Sequence, residues 1–185
     1  MHWKPTHLLK RLGASPEINS WMSTPGSLTQ RIRQACPEMQ VQILSEGWQI
    51  PLASEAQRLG LPDCRKAWIR CVLLKCQQQS WVYARTVIPD MRPGSPWFSL
   101  QKLGSQPLGE VLFELKNLQR SPFEWSRNPL QAWPLIEQAL TKSMPLAFTE
   151  TSYARRSLFT RQYSPLLLTE VFLPDLILNH ASKDS

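Results

Sequence analysis

The sequence predicts a single α+β domain, and three observations carry the prediction. The chain has 185 residues, 42% of them hydrophobic and 19% charged. That is enough for one packed core and too apolar for a disordered chain. Ala67 to Ile88 reads as two apolar strands folded back around the polar turn Gln77-Gln78-Gln79, an antiparallel hairpin. Pro165 to Pro174 is an apolar run bounded by prolines, as expected of a strand buried on both faces. Between these strands lie segments with helix-start signals, so both element types share one core.

Residues 1–13 are basic and weakly amphipathic. Ser15-Pro16-Glu17 supplies a cap, a first-turn proline and an acid, and predicts a short helix to Met22;. Thr24-Pro25-Gly26 ends it, and Ser27 caps a second helix from Leu28 to Ala35. Met39 to Trp48 has strand character, with Val41 and Ile43 on one face, and Gly47 and Pro51 punctuate its end. In the hairpin, Arg70 shares a face with Trp68, Val72 and Leu74;. Pro89 closes the returning strand, and Pro93-Gly94-Ser95-Pro96 is loop. A turn at Gly104 leads to a helix with Pro107 in its first position and Leu108 in its first turn, where free backbone N–H groups favour an anion;. An ordinary helix start has the same sequence.

Residues 115–127 suggest a strand. Asn128 to Thr141 is expected to be helical, with Leu130, Trp133, Ile136, Ala139 and Leu140 on its apolar face and Pro134 shortening or bending it;. Tyr153 to Tyr163 reads as a strand carrying Arg155, Arg156 and Arg161, with Arg155 and Arg156 on opposite faces;. The last strand follows, then a tail whose end, about residues 179–185, should fray. Glu170 shares its face with Leu166, Leu168 and Phe172. A carboxylate among apolar side chains needs a partner. Glu170 is then either half of a structural ion pair or a site carboxylate, and the sequence leaves both open.

The formal net charge is +7, which favours anionic partners. The positive residues are scattered, and no recognition helix or zinc finger is visible, so no nucleic-acid partner is expected. The cysteines are Cys36, Cys64, Cys71 and Cys76, with no C-x-x-C pair. They read as free thiols in a reducing compartment. The histidines, His2, His7 and His180, lie near the termini, so no metal site is expected. The N-terminal stretch lacks the apolar core of a signal peptide, and no run is long enough to span a bilayer. A cytoplasmic monomer is the expectation. Dinucleotide-binding, Walker A, nucleophile-elbow and zincin motifs are absent. What remains is a cation and a carboxylate inside apolar strands, plus two helix starts. An arginine fork holds a carboxylate, and a glutamate accepts a hydroxyl hydrogen or a proton. That set suits a small ring with a carboxylate at one end and a hydroxyl at the other.

Several stretches, in order, are similar to chorismate pyruvate-lyase. They are Trp68-Ile69-Arg70, Ala84-Arg85-Thr86-Val87-Ile88-Pro89, Leu100-Gln101-Lys102-Leu103-Gly104 with Pro107-Leu108-Gly109, Leu112-Phe113, Arg155-Arg156-Ser157 and Leu166-Leu167-Leu168-Thr169-Glu170. Ser27-Leu28-Thr29 resembles the family's early helix start, where methionine is common in place of Leu28. The likeness covers Ser27 to Pro174. Between Phe113 and Tyr153 the chain is longer than the family pattern.

The resemblance implies an antiparallel sheet flanked by helices around a closed internal site. It also implies a cofactor-free lyase that turns chorismate into 4-hydroxybenzoate and pyruvate, the first step of ubiquinone biosynthesis. Arg70 is then expected at the substrate carboxylate and Glu170 at the ring hydroxyl, with Leu28 and Leu108 giving backbone and apolar contacts. Glu170 is either the proton acceptor or a holder of the hydroxyl. The rival expectation is a non-catalytic, small-molecule sensing module, because the family fold resembles the UTRA domain of transcription regulators.

Overall fold

The computed structural model describes residues 1–137 and 151–176. Its centre is one sheet in which every described strand pair is antiparallel. In chain order the strands are β1 (Lys4–Pro5), β2 (Gln40–Gln49), β3 (Ala67–Cys76), β4 (Gln79–Ile88), β5 (Gln119–Arg120), β6 (Glu124–Pro129), β7 (Thr151–Arg161) and β8 (Ser164–Phe172). The strand order is β1-β6-β7-β8-β4-β3-β2, with β5 pairing β7. The helices are α1 (Pro16–Met22), α2 (Leu28–Ala35), α3 (Ala53–Leu59) and α4 (Leu108–Glu114), with 3-10 turns at Thr6–Leu12, Phe98–Lys102 and Leu130–Ala132.

Local chemistry sets the element ends. Ser15 Oγ accepts from the Ile18 N–H, with Pro16 in the first turn of α1;. Ser27 Oγ accepts from the Gln30 N–H and opens α2. Gln77, with φ of 55°, turns the β3–β4 hairpin. Helix α3 went unforeseen. Its signals are short: Glu55 reaches back to the Leu52 N–H at 2.9 Å, and Gly60 ends it at φ of 64°;. Pro107 stands one residue before α4 rather than inside it.

Two expectations need correction. The helix expected over Asn128–Thr141 is not one helix in its described part. Asn128 and Pro129 instead end β6 against Ser152 and Thr151, and Leu130–Ala132 is a 3-10 turn. Sheet pairing outweighs the helical spacing of Leu130, Trp133 and Ile136, which are still buried. Residues 138–141 and the tail from 179 lie outside the described residues. The second correction concerns cysteine. Cys36 and Cys76 form a disulfide with their Cα atoms 6.1 Å apart, while Cys64 and Cys71 are free. Cys36 ends α2 and Cys76 ends β3. Forty residues separate the two, so no local spacing announces the pair; packing α2 onto the sheet brings them together.

The core falls into three clusters. On one face of the sheet, Trp21, Met22, Leu28 and Ile32 of α1 and α2 pack on Val72, Leu74, Val82, Ala84 and Phe172. A second cluster holds Trp97, Leu100 and Leu112 against Ile88, Phe159, Leu166 and Leu168. The third covers the opposite face, around Ile69, Leu73, Tyr83, Val87, Leu167 and Val171. The first two share a sheet face, and the polar residues of that face sit at the seam between them.

Candidate functional site

Strand register builds the seam. One row of paired residues runs Glu46, Arg70, Thr86, Leu168, Ser157 across β2, β3, β4, β8 and β7. The next row runs Val72, Ala84, Glu170, Arg155, Trp125. Partners directly opposite in a sheet point to the same face, so Arg70 and Glu170 share a face. They stand two strands apart and one row apart, which is about 10 Å across and about 7 Å along. The small side chains of Ala84 and Thr86 lie on the strand between them. Arg70 is 5% exposed and Glu170 8%.

Arg70 is held from two sides. Nη1 donates to Glu46 Oε1 at 3.0 Å and Nη2 to the Gly104 carbonyl at 2.5 Å. The second bond ties the arginine to the turn before α4. Glu170 accepts from Arg155 Nε at 2.6 Å. Arg155 is fully buried, and its Nη1 also donates to the carbonyls of Met22 and Thr24. It therefore joins the Glu170 strand to the connector between α1 and α2. The Arg155 Nη2 is buried and finds no acceptor among the described residues.

The starts of α2 and α4 abut. A Cβ on Gly109 would lie 2.7 Å from Thr29 Oγ1, closer than side chains pack, and would touch Ser27 Oγ at 3.4 Å. Glycine therefore lets the two helix starts, carrying Leu28 and Leu108, meet side by side. Leu28 is buried in the first cluster, and Leu108 packs at the edge of the second.

Arg120 completes the polar seam. Its Nε donates to Ser157 Oγ at 3.0 Å and its Nη1 to the Pro25 carbonyl at 3.1 Å. The guanidinium lies over the Phe123 ring at 4.0 Å and the Phe159 ring at 5.2 Å. Burial brings its pKa down to about 10, with Glu170 opposing the shift and Arg155 adding to it;.

The opposite face carries a separate ionic row: Cys71, Arg85, Thr169, Arg156 and Glu124. Glu55 of α3 bonds both Arg85 Nε and Nη2, at 2.7 and 3.1 Å. Burial alone would lower the Arg85 pKa, but this paired bond outweighs it and holds the pKa up. Glu124 accepts from both Arg58 and Arg156. Each arginine has a carboxylate partner, with Arg58 and Arg156 sharing Glu124, and the row anchors α3 to the sheet.

The four expected site residues are thus distributed as follows. Arg70 and Glu170 share the seam face, and Leu28 and Leu108 start the two abutting helices. Arg70 and Glu170 are paired with Glu46 and Arg155 rather than with each other. The split of Arg155 and Arg156 to opposite faces holds. The seam partners Glu46, Arg120 and Arg155 escaped sequence reasoning. Arg155 had a signal, since a strand arginine opposite a buried glutamate is its natural partner. Arg120 had none, because the two-residue β5 is set by its pairing with β7.

Among the described residues no helix is long and apolar enough to cross a membrane. Fold comparison finds the C-terminal domain of PhnF at a TM-score of 0.57 and 17% identity, covering 74% of this chain and 83% of that one. The C-terminal domain of the histidine utilization repressor from Pseudomonas syringae gives 0.53 at 8% identity, covering 74% and 92%. These likenesses establish the shared fold alone. In sequence, the chain is 46% identical over 172 residues to a probable chorismate pyruvate-lyase of Hydrogenovibrio crunogenus, covering 93% of this chain and 90% of that protein. It is 37% identical to one of Cupriavidus metallidurans, covering 89% and 77%. The family pattern described as Chorismate lyase matches residues 1–183, and the chain belongs to the chorismate lyase family.

Proposed function

We propose that this chain converts chorismate to 4-hydroxybenzoate and pyruvate at the seam between α1, α2, α4 and the sheet. The observation that carries the site assignment is the placement of Arg70 and Glu170 on one face, two strands apart, with Ala84 and Thr86 between them. A flat ring fits over small side chains. Arg70 takes the ring carboxylate through its planar fork. Glu170 takes the hydroxyl on the opposite side of the ring. The meeting helix starts at Leu28 and Leu108 cover the ring and offer backbone N–H groups.

The reaction is an elimination. The hydrogen on the hydroxyl-bearing ring carbon leaves as a proton. Its electron pair forms a new ring double bond, and the ether bond on the neighbouring carbon breaks towards oxygen. Enolpyruvate departs, and its methylene takes up a proton to become pyruvate. On this reading Glu170 lies beside the hydroxyl-bearing carbon, where it either accepts the ring proton or holds the hydroxyl while the proton leaves. Aromatisation supplies the driving force, with no net change in oxidation state. The protein must orient the ring, hold its charges and exclude water.

The test is direct. Purified protein incubated with chorismate should release 4-hydroxybenzoate and pyruvate in equal amounts. Tight chorismate binding with no product would favour the sensing reading.

A further inference from the structure

Chorismate carries two carboxylates, and Arg70 accounts for one. We infer that Arg120 binds the second, the enolpyruvyl carboxylate, and so makes the site select chorismate over monoanionic rings; this rests on the lyase reading above. The geometry places Arg120 at the opposite end of the Arg70 row. Ser157, whose hydroxyl accepts from Arg120 Nε, lies beyond Thr86 and Leu168 from Arg70. Its Coulombic partners are Glu170 and Arg155, so its charge lies within range of the hydroxyl end. In chorismate the enolpyruvyl ether sits on the carbon next to that hydroxyl. A ring held by Arg70 and Glu170 therefore turns its side chain along the Glu170 side of the seam, where Arg120 and Arg155 supply the positive charge.

Of the two arginines, Arg120 is the one with no carboxylate partner among the described residues, whereas Arg155, although its Nη2 has no acceptor, is neutralised by Glu170. Arg155 is wholly buried and spends Nε and Nη1 on Glu170, Met22 and Thr24. Arg120 is half-buried, and its bonds are to a hydroxyl and one backbone carbonyl. No carboxylate among the described residues is within salt-bridge distance of it. A half-buried cation without a close counter-ion gains when an anion arrives. As the ether bond breaks, negative charge also grows on the departing oxygen beside this carboxylate, so the same arginine stabilises the leaving group.

The experiment separates the two ends of the substrate. Arg120→Gln and Arg120→Lys are compared with wild type for kcat/KM on chorismate and for Kd of 4-hydroxybenzoate, which lacks the second carboxylate. Loss of a charged partner predicts a fall on the order of 10²-fold in kcat/KM for Arg120→Gln, with 4-hydroxybenzoate affinity retained. Arg120→Lys, which keeps charge and stem, should fall less and answers the question should the glutamine variant fail to fold. Arg70→Gln is the contrast and should weaken both ligands. Unchanged chorismate turnover in Arg120→Gln overturns the inference, as does a parallel loss of both ligands in both Arg120 variants. Wild-type protein that never turns over chorismate contradicts the lyase reading itself, independently of Arg120.

Discussion

Arg155 and Glu170 stand directly opposite each other on β7 and β8, and the Arg155 Nε donates to Glu170 Oε2 at 2.6 Å. The pair is structural and lies in the candidate site at once. Removing the arginine would strand a carboxylate in the core and free the Met22 and Thr24 carbonyls. Arg155→Met is therefore expected to lose about 3–5 kcal/mol of stability. Chemical denaturation checks this, and a midpoint equal to wild type would mean that the pair carries no such weight.

The Gly109 contact with Thr29 predicts a second stability effect. Gly109→Ala puts a methyl 2.7 Å from Thr29 Oγ1 and should destabilise by about 1–3 kcal/mol, in the range of overpacking. Thr29→Ala removes the obstacle. The double variant should recover part of the loss, which a double-mutant cycle measures. Strictly additive effects would show that the two helix starts are not in the close contact described.

Much of the sheet was legible, because its strands announce themselves. β3, β4 and β8 are largely apolar runs stopped by glutamines, prolines or a polar turn, β7 is a mixed strand carrying three arginines, and each forms within a few residues of expectation. The serine caps of α1 and α2 act over three residues, and local chemistry decides them. Long-range consequences were hidden. The Cys36–Cys76 disulfide depends on α2 lying over the end of β3. The fate of Asn128 depends on β7 offering a pairing edge. Glu170 was readable as a carboxylate in an apolar strand, but whether it pairs or reacts depends on what its neighbour strand presents. The answer on the sheet is Arg155. Arg120 reaches the seam through a two-residue strand too short for any periodicity.

The disulfide closes a loop of 40 residues. The chain-entropy estimate for such a loop is about 4 kcal/mol. Cys36→Ser should lower stability by about 2–4 kcal/mol, and reductant should shift wild type towards the same midpoint. A wild-type midpoint indifferent to reductant would contradict a stabilising bond.

Glu170→Gln separates the two roles left to that residue. Glutamine keeps the shape and one acceptor oxygen but cannot carry the proton away. If Glu170 is the acceptor, turnover should drop by about 10²–10⁴-fold while 4-hydroxybenzoate still binds. The substitution also leaves buried Arg155 without its counter-charge, so stability should fall and rates must be compared at temperatures where both proteins are folded. Wild-type turnover across the working pH range would remove Glu170 from the chemistry and leave it as the partner of Arg155.

The central claim is that Arg70 and Glu170 hold opposite ends of one ring. A crystal structure with 4-hydroxybenzoate tests it most directly. The product carboxylate should lie within hydrogen-bond distance of the Arg70 guanidinium and the ring hydroxyl within hydrogen-bond distance of Glu170, with the ring over Ala84 and Thr86. A ring bound away from this face, or bound on it with its ends reversed, would contradict the account.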